Sequence, residues 1–283
     1  MKVIDSHVHV WDPTLFDYTW LANSAALNKP FLPQDLPHTS NNTRGAVFVQ
    51  ADCREDQALK EVDWVSALAA DWPALSAVVA FARLDGGNEL ARDLEQLAQR
   101  PLVRGVRHLF QDLDDSQILA PQMIAGARQV ALAGLTFDAC VRSWQLGTLA
   151  DWAREVPELS IVLDHMGKPP VAKGTLGAWR DSMRKLAGLP NVVIKLSGAG
   201  AEAAPGRPLG GQALPFIQEA LQIFGPERCM IGSDWPVSMT DPAAYQGWID
   251  LVMDSALAGA SAAERDGVAW ATAARFYRLD TPA

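Results

Sequence analysis

Eight short β-rich runs, at 3–10, 45–51, 76–83, 103–110, 135–141, 160–165, 192–197 and 229–233, recur along the whole chain. They lack clean polar alternation, the pattern of strands buried on both faces in a parallel sheet. Helical periodicities separate them. At 56–71 the residues Ala58, Val62, Val65, Leu68 and Ala69 share one side, and at 88–99 Leu90, Leu94 and Leu97 do, with Asn88 as the expected N-cap. Further helices fit 122–133, 145–156, 175–187, 212–224, 243–258 and 262–277. Strands alternating with helices over a chain of 283 residues predict an α/β fold, a (β/α)8 TIM barrel, whose usual size is ~250 residues plus insertions. No linker or repeat divides the sequence, so 1–283 is expected to be one domain.

The extra length sits mainly after strand one. Residues 12–44 carry Pro13, Pro30, Pro33 and Pro37 together with Phe16, Tyr18, Trp20 and Phe31, which reads as a long structured loop. A second stretch, 198–211, follows strand seven. Both would lie at the C-terminal face of a barrel, where active sites are built. Gly198 and Gly200 could belong to a phosphate site there, but no helix N-terminus is clearly placed beside them, and a turn is the expected use.

Composition narrows the partners. A net charge of −9 and a pI near 5.0 offer no basic footprint for a phosphate backbone, so nucleic acid is not expected. No apolar run reaches membrane-spanning length, and the N-terminus has no leader-like region. Cys53, Cys140 and Cys229 are odd in number, far apart and set in apolar runs. They read as buried free thiols, which favours a reducing, cytoplasmic setting. Oligomeric state is not legible.

The chemistry concentrates at strand ends. His7 and His9 lie two apart near the end of strand one, so an extended backbone points both to one face, with Ile4, Ser6, Val8 and Val10 pointing away. His165 ends strand six and Asp234 follows strand eight. Each alone could be a satisfied core histidine or a turn-capping aspartate. In a barrel the four converge at one mouth, where they form the expected catalytic set.

These residues sit in Asp5-Ser6-His7-Val8-His9-Val10-Trp11, Val106-Arg107-His108, Leu163-Asp164-His165-Met166-Gly167-Lys168-Pro169, Lys195-Leu196-Ser197-Gly198 and Ile231-Gly232-Ser233-Asp234-Trp235-Pro236. As a set they resemble the amidohydrolase superfamily nearly end to end, and specifically its sugar-lactone hydrolase branch, which includes L-fuconolactonase-like, L-rhamnonolactonase and pyrone-dicarboxylate lactonase enzymes. The resemblance implies a (β/α)8 hydrolase with Asp234 as general base. Two-metal members carry a lysine or glutamate on strand four and a histidine on strand five, where this chain offers Arg107-His108 and Phe137-Asp138-Ala139-Cys140. A binuclear centre is therefore not expected, and the related lactonases imply no required cofactor. A single divalent ion, zinc above all, could occupy His7, His9 and Asp234 or His165.

The reaction that the resemblance implies is hydrolysis of a sugar lactone, such as L-fuconolactone or a related aldonolactone, to the free acid, within sugar catabolism. Asp234 activates water, and His7, His9 and His165 polarise the carbonyl. Candidate substrate-binding residues are Trp20, Trp144 and Trp235, whose indoles suit sugar faces, and Arg83, Arg107, His108 and Lys168. The charged ones could instead be paired with Asp52, Asp85, Asp138 or Asp164. A dicarboxylated lactone should need more convergent arginines than are well placed here, which favours a neutral lactone. The alternative is a zinc-dependent decarboxylase of the same superfamily, which loses activity when zinc is stripped.

Overall fold

The computed structural model describes residues 3–36, 43–239 and 241–279. Eight strands, β1 (Val3–Val8), β2 (Thr43–Val49), β3 (Leu75–Phe81), β4 (Val103–Leu109), β5 (Thr136–Cys140), β6 (Ile161–Leu163), β7 (Val192–Leu196) and β8 (Cys229–Ile231), form one sheet in sequence order. Every neighbouring pair is parallel. The sheet closes past the end of β8. Val8 bridges Trp235, His9 N donates to Trp235 O at 2.8 Å, and Asp234 N donates to His7 O at 2.9 Å. The (β/α)8 barrel expected from the sequence is the fold.

The helices are α1 (Ala58–Leu68), α2 (Asn88–Leu97), a short α3 (Asp115–Ile118), α4 (Pro121–Leu132), α5 (Leu146–Arg154), α6 (Gly177–Ala187), α7 (Leu209–Phe224), α8 (Pro242–Asp250), α9 (Ala262–Asp266) and α10 (Thr272–Tyr277). In α2 the buried residues are Leu90, Leu94 and Leu97, a stripe at helical spacing that seals against the barrel. Its N-cap is Gly87 and not Asn88, which is the first helical residue. The expected helices at 243–258 and 262–277 are each interrupted by a wider turn, at Leu251–Ala256 and Gly267–Ala271. Hydrophobic spacing does not register such a local change of winding.

The segment after β1 holds two short 3-10 turns, Thr19–Asn23 and Pro33–Asp35. Trp11 anchors it: the backbones of Trp11 and Phe31 exchange two 2.9 Å hydrogen bonds, and the indole N–H donates to Lys29 O at 2.9 Å. Phe31 then meets Trp235 edge-on at 5.6 Å. Buried Glu61 fastens the same segment, accepting from Tyr18 Oη at 3.0 Å and from the Ala51 amide at 3.3 Å. Pro37, one of the loop prolines, lies outside the described residues.

The bore departs from plain alternation. Ile4 joins Val47, Val49, Ala77, Val79, Val162, Met230 and Tyr277 in an interior cluster, although counting by two from His7 turns it outward. A register irregularity between Asp5 and Val8 supplies the reason, since an irregular residue in a strand shifts the face of those before it.

Candidate active site

At the C-terminal mouth His7, His9, His165 and Asp234 come together, each buried. Asp234 Oδ1 lies 3.5 Å from His9 Nε2 and 3.8 Å from both His7 Nε2 and His165 Nε2. Its Oδ2 accepts from Ser238 Oγ at 2.6 Å. The carboxylate is aimed by the backbone around it. Asp234 has a φ of 58°, an uncommon value for a residue with a side chain, which concentrates at functional sites. Asp5, on the far side of the strand, holds that conformation. Its carboxylate accepts from Ser233 N at 2.8 Å, His7 N at 3.2 Å and Tyr245 Oη at 2.9 Å.

His165 also sits in left-handed backbone (φ 55°), followed by Met166 at 52° and Lys168 at 50°. Its Nδ1 lies 3.0 Å from Ser197 Oγ. Gly198 explains itself here: at φ 72° a Cβ would stand 2.4 Å from His165 Nδ1. The glycine leaves room for the imidazole, a use that its position in the sequence does not announce.

Burial, opposed by Asp234 and Asp164, lowers His165 to about 4. Burial also holds His7 well below its ordinary value, reinforced by the Lys195 charge. Burial alone would raise Asp234, yet the neighbouring imidazoles outweigh it and hold the carboxyl well below the usual range. At neutral pH the site is thus an anionic carboxylate beside neutral His7 and His165.

A cavity of about 240 Å³ opens above, with Asp234, His9 and His165 in its wall. That is below the ~300–1,000 Å³ typical of drug-sized ligands and suits a single small ring. Of the expected substrate-binding residues, Trp20, Arg107 and Lys168 line it. Trp20 is oriented by its N–H, which donates to Ala51 O at 2.8 Å. Arg107 Nη2 donates to Gln50 O at 2.5 Å and Nη1 lies 3.5 Å from Asp164. Lys168 donates to Gln111.

The others lie elsewhere. Arg83 pairs with Asp85 at 3.1 Å and Glu55 at 3.4 Å in solvent. His108 accepts from Leu84 N at 3.4 Å, its ring between Phe81 and Phe110. Trp144 is 75% exposed, with Arg142 over its ring. Trp235 is buried against Phe31, part of the support under the loop. Strand-end position brings a residue to the mouth but does not say whether it turns inward, because the loop conformation decides that. Asp52, Gln111, Asp112 and Glu202 also line the cavity. Apart from Asp52, expected only as a pairing partner, none of them carries a sequence signal for the site.

Beneath the histidines is a buried ionic layer. Lys195, fully buried on β7, donates to Asp138 of β5 and lies 3.0 Å from Asp164 Oδ1 and 3.1 Å from His7 Nδ1. Tyr277 Oη donates to Asp138 from below at 2.8 Å. Burial raises Asp138 to about 6 against the pull of Lys195. Asp164 is held well below its ordinary value, the ammonium and His7 overcoming burial. Two carboxylates face an ammonium and a guanidinium, so the layer is charge-balanced, as buried charges require. Charged residues inside otherwise apolar strands were the available signal.

A metal ion fits the upper set in donor type and reach. His7, His9 and Asp234 each offer a ligand atom within 4.8 Å of the others. The outer nitrogen of His9 meets Val49 O at 2.7 Å, the contact that orients a ligating imidazole. The outer nitrogen of His7 instead meets an ammonium as well as a carboxylate.

This constellation at the mouth of a parallel barrel defines a hydrolase of the amidohydrolase class, and a family model described as Amidohydrolase matches residues 4–279. The chain belongs to that family. It is 34% identical to an L-fucono-1,5-lactonase of Burkholderia ambifaria over 288 residues, 99% of this chain and 96% of that protein. It is 35% identical to an L-fucono-1,5-lactonase of Burkholderia multivorans over 294 residues, 99% of this chain and 97% of that one. A solved Burkholderia multivorans amidohydrolase with bound zinc superimposes with a TM-score of 0.85 at 32% identity, covering 99% of this chain and all of that one (100%).

Proposed function

We propose that this chain opens a neutral sugar lactone, L-fucono-1,5-lactone or a stereochemical relative, to the free sugar acid. The observation that carries the reading is a buried carboxylate, Asp234, ringed by three imidazoles in the wall of a cavity sized for one ring. Relatedness to two L-fucono-1,5-lactonases over nearly the whole chain supports it.

Asp234 takes a proton from water as the water attacks the carbonyl carbon. His165, with Nδ1 able to accept from Ser197, directs Nε2–H at the developing oxyanion, where a donor contributes most. His9 Nδ1–H donates to Val49 O at 2.7 Å, which orients the ring with Nε2 3.5 Å from Asp234 Oδ1. His7 supports His9 from 3.1 Å. Asp234 returns the proton to the ring oxygen as the C–O bond breaks. A divalent ion held by His7, His9 and Asp234 would add Lewis-acid polarisation of the carbonyl.

A neutral substrate follows from the lining. Arg107 and Lys168 are engaged by Gln50 and Gln111 and share the wall with Asp52, Asp112 and Glu202. A dicarboxylate would meet more negative than available positive charge. The three cysteines, buried and unpaired with one another, support a reducing, cytoplasmic setting, and no helix among the described residues is long and apolar enough to cross a membrane.

The test is proton release from a panel of sugar 1,4- and 1,5-lactones, before and after chelation, with Asp234→Asn alongside. Turnover that survives chelation and is lost in the variant is the expected result. Activity that disappears with zinc and returns with it would make the ion essential. No turnover of any lactone, with carbon dioxide released from an aromatic acid, would replace this reading by the decarboxylase one.

A further inference from the structure

Lys195 Nζ has three hydrogens and no lone pair, so against an imidazole nitrogen it can only donate. As a hydrogen bond, its 3.1 Å contact with His7 Nδ1 needs a lone pair there, in competition with Asp164 Oδ1 at 3.2 Å, which would take a hydrogen from the same atom. Neutral His7 then carries its single hydrogen on Nε2, which faces His9 Nε2 at 3.1 Å. His9 holds its own hydrogen on Nδ1, because Val49 O at 2.7 Å can only accept. The contacts align in one direction, from Lys195 to His7, from His7 to His9, and from His9 to the Val49 carbonyl. The opposite tautomer would give His7 Nδ1–H an acceptor in Asp164 Oδ1 at 3.2 Å. It would also set that hydrogen against the ammonium and leave two lone pairs facing each other between His7 and His9.

We propose that Lys195 is a positioning residue that fixes His7 as the Nε2–H tautomer and thereby weakens the grip of the site on a divalent ion. Ligation through His7 Nε2 needs a lone pair on that atom. Supplying it moves the hydrogen to Nδ1, toward the ammonium. Outer contacts of this kind shift metal affinity by ~10–100-fold. With the lysine charge gone, Asp164 is left as acceptor for Nδ1–H, the arrangement that favours a ligating imidazole. The proposal does not depend on which lactone is opened.

The first measurement needs no variant. Long-range 1H–15N correlation spectra of the metal-free protein, with His7 assigned by its loss in His7→Gln, should show it as Nε2–H, and a His7 found as Nδ1–H overturns the proposal. The second is zinc affinity by chelator competition in wild type, Lys195→Met and Lys195→Arg. The Met variant should move His7 to Nδ1–H and bind zinc at least ~10-fold more tightly, within the usual range for outer contacts, while Arg keeps the wild-type tautomer. An unchanged tautomer and unchanged or weaker zinc binding in the Met variant refute it. Lys195→Met with Asp138→Asn relieves the unpaired charge left in the layer and is read by the same criteria if the single variant does not fold.

Discussion

The mouth of the barrel and the layer beneath it use the same residue types for opposite ends. At the mouth Asp234 stands in left-handed backbone among imidazoles and faces a cavity. One residue layer down, Asp138 and Asp164 are closed in by Lys195, Arg107 and Tyr277, with no exposure of either carboxylate. The upper carboxylate is held where a reacting atom can reach it. The lower pair is matched charge for charge, with Lys195 touching the upper set at His7 and Arg107 reaching the cavity wall. Left-handed backbone and access to the cavity mark the part that reacts, and burial among opposite charges marks the part that supports it.

Substitutions should separate the two. Asp234→Asn is expected to lower kcat on the lactone by ~10²–10⁴-fold, the weight of a general base, while leaving the thermal midpoint near that of wild type. Lys195→Met should do the reverse in emphasis, costing ~3–5 kcal/mol of stability by leaving buried carboxylates without their cation, as read by urea unfolding. Equal stability losses in both would erase the distinction. Gly198→Ala tests the seam between the regions. A Cβ 2.4 Å from His165 Nδ1, on backbone at φ 72°, should displace the imidazole, reducing kcat and costing ~1–3 kcal/mol.

Titration gives a pair of signatures opposite in sign. His165 is lowered from 6.5 to about 4, so the unfolded chain binds the extra proton between those values. Its contribution to stability is present above pH 6.5 and is lost as pH falls toward 4. Glu61 is raised from 4.5 to about 7 by burial, so its contribution is present below pH 4.5 and is lost as pH rises through 7. Each spans about 3 kcal/mol at 1.36 kcal/mol per unit. Thermal midpoints against pH for His165→Gln and Glu61→Gln should lose the acid and the neutral slope respectively. Trp144→Ala, at an indole 75% exposed, should change stability by no more than ~0.5 kcal/mol and leave kcat/KM unaltered. A raised KM would bring Trp144 back to the substrate.

Much of this was legible beforehand because it is periodic. Buried parallel strands announce themselves as apolar runs, and His7, His9, His165 and Asp234 stand at the ends of three of them. Arg83 and Trp144 stand at strand ends too, yet turn to solvent, while Gln111 and Glu202 line the cavity from positions that no periodicity marks. Lys195 and Asp138 were visible as charges within apolar strands, but their meeting with Tyr277 joins β5, β7 and the C-terminal helix across the bore.

The sequence by itself determined the alternation of strand and helix, and with it a closed parallel barrel that gathers strand-end histidines at one face, because backbone hydrogen bonding and apolar burial act locally and repeat. Only the tertiary structure decided which side chains line the cavity, how His165 and Asp234 are aimed, and which cation stands behind His7. Those outcomes depend on distances between residues far apart in the chain, such as the 3.1 Å from Lys195 to His7, and such distances are fixed only when the barrel closes.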